Sequence, residues 1–305
     1  MSAIAEKGSK KILFAWAFYD WANSVYSLVI SSAIFPIFYG ALFRMEGIEK
    51  VLVFGVEIAR APLISYVTSA AFLFIAILTP ILSGIADYLG NKKVFLKFFC
   101  YLGGLSCIGL YWFSLEHIYT SLLLYFMGLV GFWVSFAFNN SYLPDIAFPE
   151  QQDSISAKGF SLGYIGSVIL LLFNLAMVMQ PALFGIEDLP EAPAAITAMK
   201  YSFVTVGIWW IIFSQYSFYY MPKGNKKDEP AVNLLFNGFK ELKMVWNQLG
   251  SQPMLKKYLR SHVRSQFLEV QVNEWDIAIF LPTESFRKAD TGRVWEDSRK
   301  QIGRT

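Results

Sequence analysis

Residues 117–144 read HIYTSLLLYFMGLVGFWVSFAFNNSYLP and contain no Asp, Glu, Lys or Arg. A helix needs roughly 20 mostly apolar residues to cross the hydrocarbon core of a bilayer, so this stretch is long enough to span one. Five further stretches without those charges meet or nearly meet that length: Trp21–Phe43, Ala61–Ala86, Phe98–Leu115, Gly159–Ile186 and Tyr201–Pro222. The six stretches predict an all-α integral membrane protein with six transmembrane helices, whose first partner is the lipid bilayer.

The composition excludes several functional classes. The 305 residues are 55% hydrophobic and only 16% charged, whereas soluble domains are about 25% charged. No basic stripe with interleaved aromatic residues is present, so nucleic acid is not an expected partner. With two His and two Cys in the whole sequence, the usual four-ligand zinc motifs cannot be assembled, and we expect no metal and no cofactor. No constellation of His, Cys or Ser/Lys stands at catalytic spacing, so an enzyme is not expected.

The lysines between the stretches predict an orientation. Cytoplasmic loops of membrane proteins carry an excess of Lys and Arg, and Arg44, Lys50 and Arg60 are the exceptions to an otherwise alternating pattern. We therefore expect both chain ends in the cytoplasm and, because the connections are short, a bacterial cytoplasmic (inner) membrane. The lysines that favour this orientation are Lys7, Lys10, Lys11, Lys92, Lys93, Lys97, Lys158, Lys223, Lys226 and Lys227.

The charge distribution also predicts three parts of the chain. Residues 1–221 hold the six-helix bundle. Residues 222–260 form a cytoplasmic linker with an amphipathic helix, either on the membrane surface or packed on the bundle, and the start of a seventh helix. Residues 261–305 form a polar tail without a transmembrane candidate.

The first polar cluster lies in the first stretch, where Asp20, Asn23 and Ser24 follow at spacings of three and four. Residues at these spacings share one face of a helix. A carboxylate in a membrane helix usually faces a cavity or a partner, which favours a proton- or substrate-linked site. The alternative is an aspartate at the membrane surface, solvated by headgroups and flanked by the belt aromatics Trp16, Tyr19 and Trp21. The sequence leaves both interpretations open.

Three other groups of residues are candidates for function or packing. Asn139 and Asn140 precede Pro144, which we expect to stop the fourth helix, and their amides need partners at membrane depth. Asn174 either lines a cavity or bonds another helix across the bundle. Small residues spaced by four allow close helix packing, which is the role we expect for Gly159, Gly163 and Gly166.

The connection after the second stretch, Asp87-Tyr-Leu-Gly90-Asn-Lys92-Lys93, suits a tight cytoplasmic turn in which Asp87 caps the next helix. This turn resembles the signature turn of the major facilitator superfamily, although Ser83 and Tyr88 stand where a glycine and an arginine are usual. More narrowly, WAFYDWANS (16–24), NNSYLPDIA (139–147) and SAKGFSLGYIG (156–166) resemble the vacuole-effluxer-like branch, which includes fungal vacuolar amino-acid effluxers and bacterial relatives.

The resemblance implies twelve helices in two six-helix halves around a central cavity, of which this chain supplies the N-terminal half. It implies a secondary transporter of small solutes, such as amino acids, that works by alternating access. One hypothesis is a frameshift or premature stop around residues 261–275, which would leave a fragment that does not transport. The other is that the chain joins a missing C-terminal half or a second copy. The candidates for the solute or proton pathway are Asp20, Asn23, Ser24, Asn139, Asn140 and Asn174.

Overall fold

A computed structural model of the chain describes residues 7–188 and 192–222 and, within them, the side chains of all but residues 87–89. The predicted linker and tail after Pro222 lie outside the described residues. Six helical rods of the described part are long and apolar enough to cross a membrane, which confirms the predicted fold class: Lys10–Met45, Arg60–Ala86, Lys92–Trp112, Ile118–Ile146, Pro149–Met179 and Ala194–Tyr220. Each rod is helical because only internal hydrogen bonds satisfy a backbone in lipid.

The first rod changes from α-helix to π-helix and back along its length. Helix α1 (Lys10–Val25) continues into a π-helical segment (Tyr26–Ile34) and then into α2 (Phe35–Met45). Pro36 is the second residue of α2 and has no N–H to donate, so a carbonyl of the preceding π-helical segment loses its helical donor. Proline and π-helical turns are common causes of kinks in long helices, and π-helical turns are often found at functional sites.

The remaining rods are regular helices with short extensions. They are α3 (Arg60–Leu89), α4 (Lys92–Gly109) with a 3-10 turn (Leu110–Trp112), α5 (Ile118–Asn140), a short α6 (Leu143–Ile146), α7 (Pro149–Met179) with a 3-10 turn (Pro181–Phe184), and α8 (Ala194–Tyr220). The expectation that Pro144 stops the fourth helix is wrong in detail. Helix α5 already ends at Asn140, and Pro144 lies in the first turn of α6, where a missing N–H costs nothing.

The main helix contacts arrange the bundle in two layers. The strongest contacts link α3 to α5, α5 to α4, α4 to α8, α8 to α1 and α1 to α7, and α5 touches α1 only lightly. We call α4 and α8 the back layer, and α3, α5, the first rod and α7 the front layer. The layers meet around Trp210 and Tyr26, which are fully buried. The Tyr26 ring stacks on Phe132 with its centroid 5.1 Å away and lies 5.8 Å from the Trp210 ring.

The two ends of the bundle differ. At the end that we call the lysine end, the backbone N–H of Gly8 donates to the carbonyl of Ile146 at 2.8 Å, which ties the start of the chain to α6. At the opposite end, the hairpin end, a two-stranded antiparallel hairpin (Lys50–Val53 and Val56–Ala59) connects α2 to α3. The sequence interpretation did not foresee this hairpin.

Candidate functional site

Asp20 is buried inside the helix bundle. It is ten residues beyond the start of α1, or about 15 Å at ~1.5 Å per residue, and its side chain is 4% exposed. Its Oδ1 atom has no hydrogen-bond partner within the described residues. The carboxylate is therefore enclosed by protein, and its link to a proton or a substrate stays a prediction.

The carboxylate of Asp20 lies against the backbone of α7. A Cβ atom added at Gly159 would stand 2.5 Å from Asp20 Oδ2, and one added at Gly163 would stand 2.6 Å from Ser24 Oγ. At Gly166 the nearest neighbour is Trp21, at 3.0 Å. The three glycines of α7 therefore face α1, and two of them make room for its polar side chains.

Asn23 completes the polar face of α1. Its side chain is fully buried, and neither its amide nitrogen nor its amide oxygen has a hydrogen-bond partner in ranges 7–188 and 192–222. A buried polar group without a partner costs about 1–3 kcal/mol. Asp20 and Asn23 thus hold unused hydrogen-bonding capacity one helical turn apart on α1.

The two neighbouring asparagines of α5 point to different places. Asn139 is fully buried, and its backbone carbonyl accepts a hydrogen bond from the indole N–H of Trp16 at 2.6 Å. Asn140 is exposed and lines a groove between α3 and α5. The structure thus separates two residues that the sequence interpretation had grouped.

Asn174 bonds another helix. Its Oδ1 atom accepts a hydrogen bond from Thr205 Oγ1 of α8 at 2.8 Å, and its side chain is fully buried. The structure thus shows the expected contact across the bundle, while the Nδ2 atom has no partner in the described ranges and a place on the solute pathway stays a prediction.

The groove beside Asn140 has a volume of about 460 Å³. Pro80 of α3 lies in it and has no N–H, so the carbonyl of Ala76 loses its helical donor. Thr79 also lines the groove, and its buried Oγ1 atom has no partner in the part of the chain that the structure describes. The aromatic side chains of Trp133 and Phe136 form the wall on α5. The groove thus combines hydrogen-bonding groups with apolar surface.

The chain was compared with known proteins. A profile of the vacuole effluxer Atg22-like family matches residues 8–264. The chain belongs to this family.

An uncharacterized MFS-type transporter, YxiO, of Bacillus subtilis (strain 168) is 31% identical over 254 residues, which cover 81% of this chain and 55% of the relative. The chain therefore spans about half the length of the curated relative that it matches. No solved structure matches it significantly. The resemblance read from the three motifs is confirmed by the family profile and by this relative.

The signature turn of this family member is shorter than the sequence suggests. Asp87 is still part of α3, and Asn91, not Asp87, is the N-cap of α4. Gly90 adopts a φ of +60°, which glycine tolerates best.

The two lysines of the turn bind the ends of other helices. Lys92 Nζ donates to the Asp145 carboxylate at 2.9 Å and to the Ser141 carbonyl at 3.3 Å, and Lys93 Nζ donates to the Met221 carbonyl at 2.6 Å. The last carbonyls of a helix lack intrahelical donors, and cations there are favourable. The turn thus joins the lysine ends of α5 and α8.

Further polar residues of the front layer were missed from the sequence. Ser27 and Ser32 are exposed on the π-helical segment, and the Ser32 hydroxyl donates to the Ser27 carbonyl at 3.0 Å. Ser24 and Ser27 are three residues apart, so this spacing could have been read as a continuation of the Asp20 face. Thr79 and Pro80 could also have been recognised, because a proline within an apolar stretch indicates an interrupted helix.

Proposed function

We propose that this chain is a subunit or half of a secondary transporter that moves small solutes by alternating access. Membership of a transporter family and six membrane spans support a transport role in general. The observation that carries the mechanism is Asp20, a buried carboxylate with unused hydrogen-bonding capacity in a membrane helix. Ionisable groups in such positions commonly mark proton or substrate pathways.

The proposed coupling site is the contact between α1 and α7. Gain or loss of a proton at Asp20 changes the charge that is packed against the backbone at Gly159. A change of charge in a close helix contact biases how the two helices pack, and such a bias is what a two-state transporter requires. Asn23 and Ser24 extend the site along α1.

The proposed solute path follows the polar groups of the front layer. The exposed Ser27 and Ser32 would line it on the first rod, and Thr79 and Asn140 in the groove between α3 and α5. Hydrogen-bonding groups beside the aromatic wall of Trp133 and Phe136 suit a solute with a polar and an apolar part. Amino acids have this character and are the first solutes to test.

We also propose that the six-helix bundle acts with a second six-helix unit, either a C-terminal half or a second copy. Binding sites of such transporters lie between repeats near the bilayer midplane, and polar groups on the front layer need a polar partner in a membrane. In this arrangement the lysine end faces the cytoplasm, as the positive-inside rule favours. The alternative is a bundle that does not transport on its own.

The test uses the full chain reconstituted in liposomes with a pH gradient. We expect uptake of amino acids that follows the gradient, and we expect Asp20→Asn to abolish this dependence. The control is Asp145→Asn, which removes a carboxylate that is 57% exposed at the lysine end. Unchanged coupling in Asp20→Asn would remove Asp20 from the mechanism. If the wild-type chain is monomeric by cross-linking and shows no uptake, a second copy of this chain is excluded as the partner, and the bundle does not transport on its own.

A further inference from the structure

The turn of the hairpin between α2 and α3 carries an unusual residue. Phe54 and Gly55 connect the two strands, and both have positive φ, 51° and 80°. Two positive φ values in a two-residue loop are characteristic of a type I′ turn, which favours Asn-Gly, Asp-Gly or Gly-Gly. A bulky residue at positive φ is a genuine outlier. Phe54 therefore breaks a local rule of turn formation.

The Phe54 ring buries little of its surface against the rest of the described chain. It is 87% exposed, and its neighbours Leu52 and Val56 are 61% and 60% exposed. Val53 is the strand partner of Val56 and shares its face of the hairpin, but it is only 6% exposed and packs on the bundle. The tip thus exposes Phe54 at the turn, with Val56 on one face of the hairpin and Leu52 on the other. It does so although the turn conformation is unfavourable for phenylalanine.

The structure also fixes the height of this tip relative to the membrane spans. The Phe54 N–H donates to the Tyr119 hydroxyl at 3.0 Å, and the two rings lie 5.5 Å apart. Tyr119 is the second residue of α5. The base of the hairpin is held as well, because the Tyr39 hydroxyl donates to the Arg60 carbonyl at 3.0 Å. The hairpin therefore lies across the bundle, with its tip at the level where a membrane span begins.

The surroundings of the tip have the character of a lipid interface. Tyr119 is 52% exposed, and Leu123, one turn further into the span, continues the same exposed face of α5. Trp112, at the end of another span, is also exposed. Exposed Trp and Tyr at the ends of spans are typical of the boundary between headgroups and acyl chains. The Lys50–Glu57 ion pair, at 3.7 Å, leaves the hairpin with balanced charge.

We propose that the tip formed by Leu52, Phe54 and Val56 inserts into the headgroup and acyl boundary of the leaflet at the hairpin end. The occupant of this apolar surface is lipid, in continuity with the exposed aromatic side chains of Tyr119 and Trp112 at the ends of two spans. The hairpin thereby anchors the connection between α2 and α3 to the membrane surface. This inference is independent of transport and stays open to test even if the proposed function fails.

The test is a site-specific fluorescent label. Phe54→Cys is labelled with the environment-sensitive dye NBD in the full chain and reconstituted in phosphatidylcholine vesicles with a quencher on the upper part of the acyl chain. The matched control is Glu49→Cys, an exposed polar position before the first strand. The parent chain, treated with the same dye, is the blank. It should take up little dye, because its two cysteines, Cys100 and Cys107, are both buried. Val56→Cys repeats the measurement in case the turn does not tolerate the substitution of Phe54.

We expect the label at 54 or 56 to be quenched several-fold more by the lipid quencher than the label at 49, and several-fold less by aqueous iodide. Equal iodide quenching at the tip and at 49 would overturn the proposal. The proposal would also be overturned if the label at the tip were shielded from iodide but not quenched by the lipid quencher, and if energy transfer occurred between labelled copies. In that case protein, not lipid, would cover the tip.

Discussion

The contact between Asp20 and Gly159 shows how one missing methyl group makes room for a buried carboxylate. The carboxylate lies where a Cβ atom of residue 159 would be. Because protein interiors are close-packed, a side chain here would have to move the carboxylate or separate the helices.

We predict that Gly159→Ala destabilises the bundle by about 1–3 kcal/mol, the usual cost of overpacking. The double variant Asp20→Ala/Gly159→Ala should recover part of that loss, because the atom that the new methyl group meets is gone. Unfolding in mixed micelles measures both. The control is Ser161→Ala, on the exposed side of α7. If Gly159→Ala costs the same with and without the Asp20 side chain, the proposed contact is not its cause.

The lysines of the signature turn permit a second prediction for single residues. Lys93 is 7% exposed and donates to the Met221 carbonyl, and hydrogen bonds from charged groups contribute roughly 1.5–3 kcal/mol. Lys93→Met keeps the length of the side chain but removes the hydrogen bond. It should lower the free energy of unfolding in mixed micelles by roughly 1.5–3 kcal/mol.

Asp145→Asn removes the charge of an exposed partner of Lys92, and exposed ion pairs contribute about 0–1 kcal/mol. It should therefore have a small effect. A larger loss for Asp145→Asn than for Lys93→Met would contradict this assignment of roles.

Sequence reasoning identified the polar residues of the spans but not their directions. Asp20, Asn23 and Ser24 were placed on one face by helical spacing, and the structure keeps them on α1 facing α7 or the interior. Asn139 and Asn140 could not be separated, because apolar residues surround a membrane helix on every side and leave no amphipathic pattern to orient it.

At the scale of elements, α4 and α5 approach each other through glycine on both sides. A Cβ atom added at Gly131 would overlap the backbone of Gly103. Small residues are what allows membrane helices to approach so closely.

We predict that Gly131→Ala prevents native packing of α4 on α5, because two backbones cannot yield as a side chain can. Gly109→Ala is the matched variant, since its Cβ atom would meet only a methyl group of Leu124 at 2.8 Å, which can rotate away. Expression and monodispersity in detergent should collapse for the first and persist for the second. Equal behaviour of the two variants would show that backbone contact is not decisive.

The elements that sequence reasoning missed are irregular ones. The π-helical segment depends on the local hydrogen-bond register around Pro36, and the strands of the hairpin are four residues each. A short apolar segment such as Val51–Val53 fits a strand or a loop equally well, because length is the main criterion and here it is minimal. A long charge-free stretch predicts a membrane helix from its own composition. A short element forms through contacts with distant residues, such as the contact between Phe54 and Tyr119.

At the scale of the whole molecule, the six-span architecture could be predicted because lipid requires long apolar helices. The sequence could not predict which helix faces meet lipid and which meet water, because apolar side chains cover both layers. The exposed serines of the π-helical segment are the feature that separates these environments in the proposed transporter.

We predict that Ser27→Cys and Ser32→Cys react with a membrane-impermeant thiol reagent in proteoliposomes, because the proposed solute path admits water. Ile208→Cys and Ile212→Cys are the controls, since both lie on exposed parts of α8 in the back layer, which should face lipid. Adding a transported solute should slow labelling at Ser27 or Ser32 and leave the controls unchanged. If the serine positions are as unreactive as the isoleucine positions, the front layer of the bundle faces lipid, and the path does not run along the first rod.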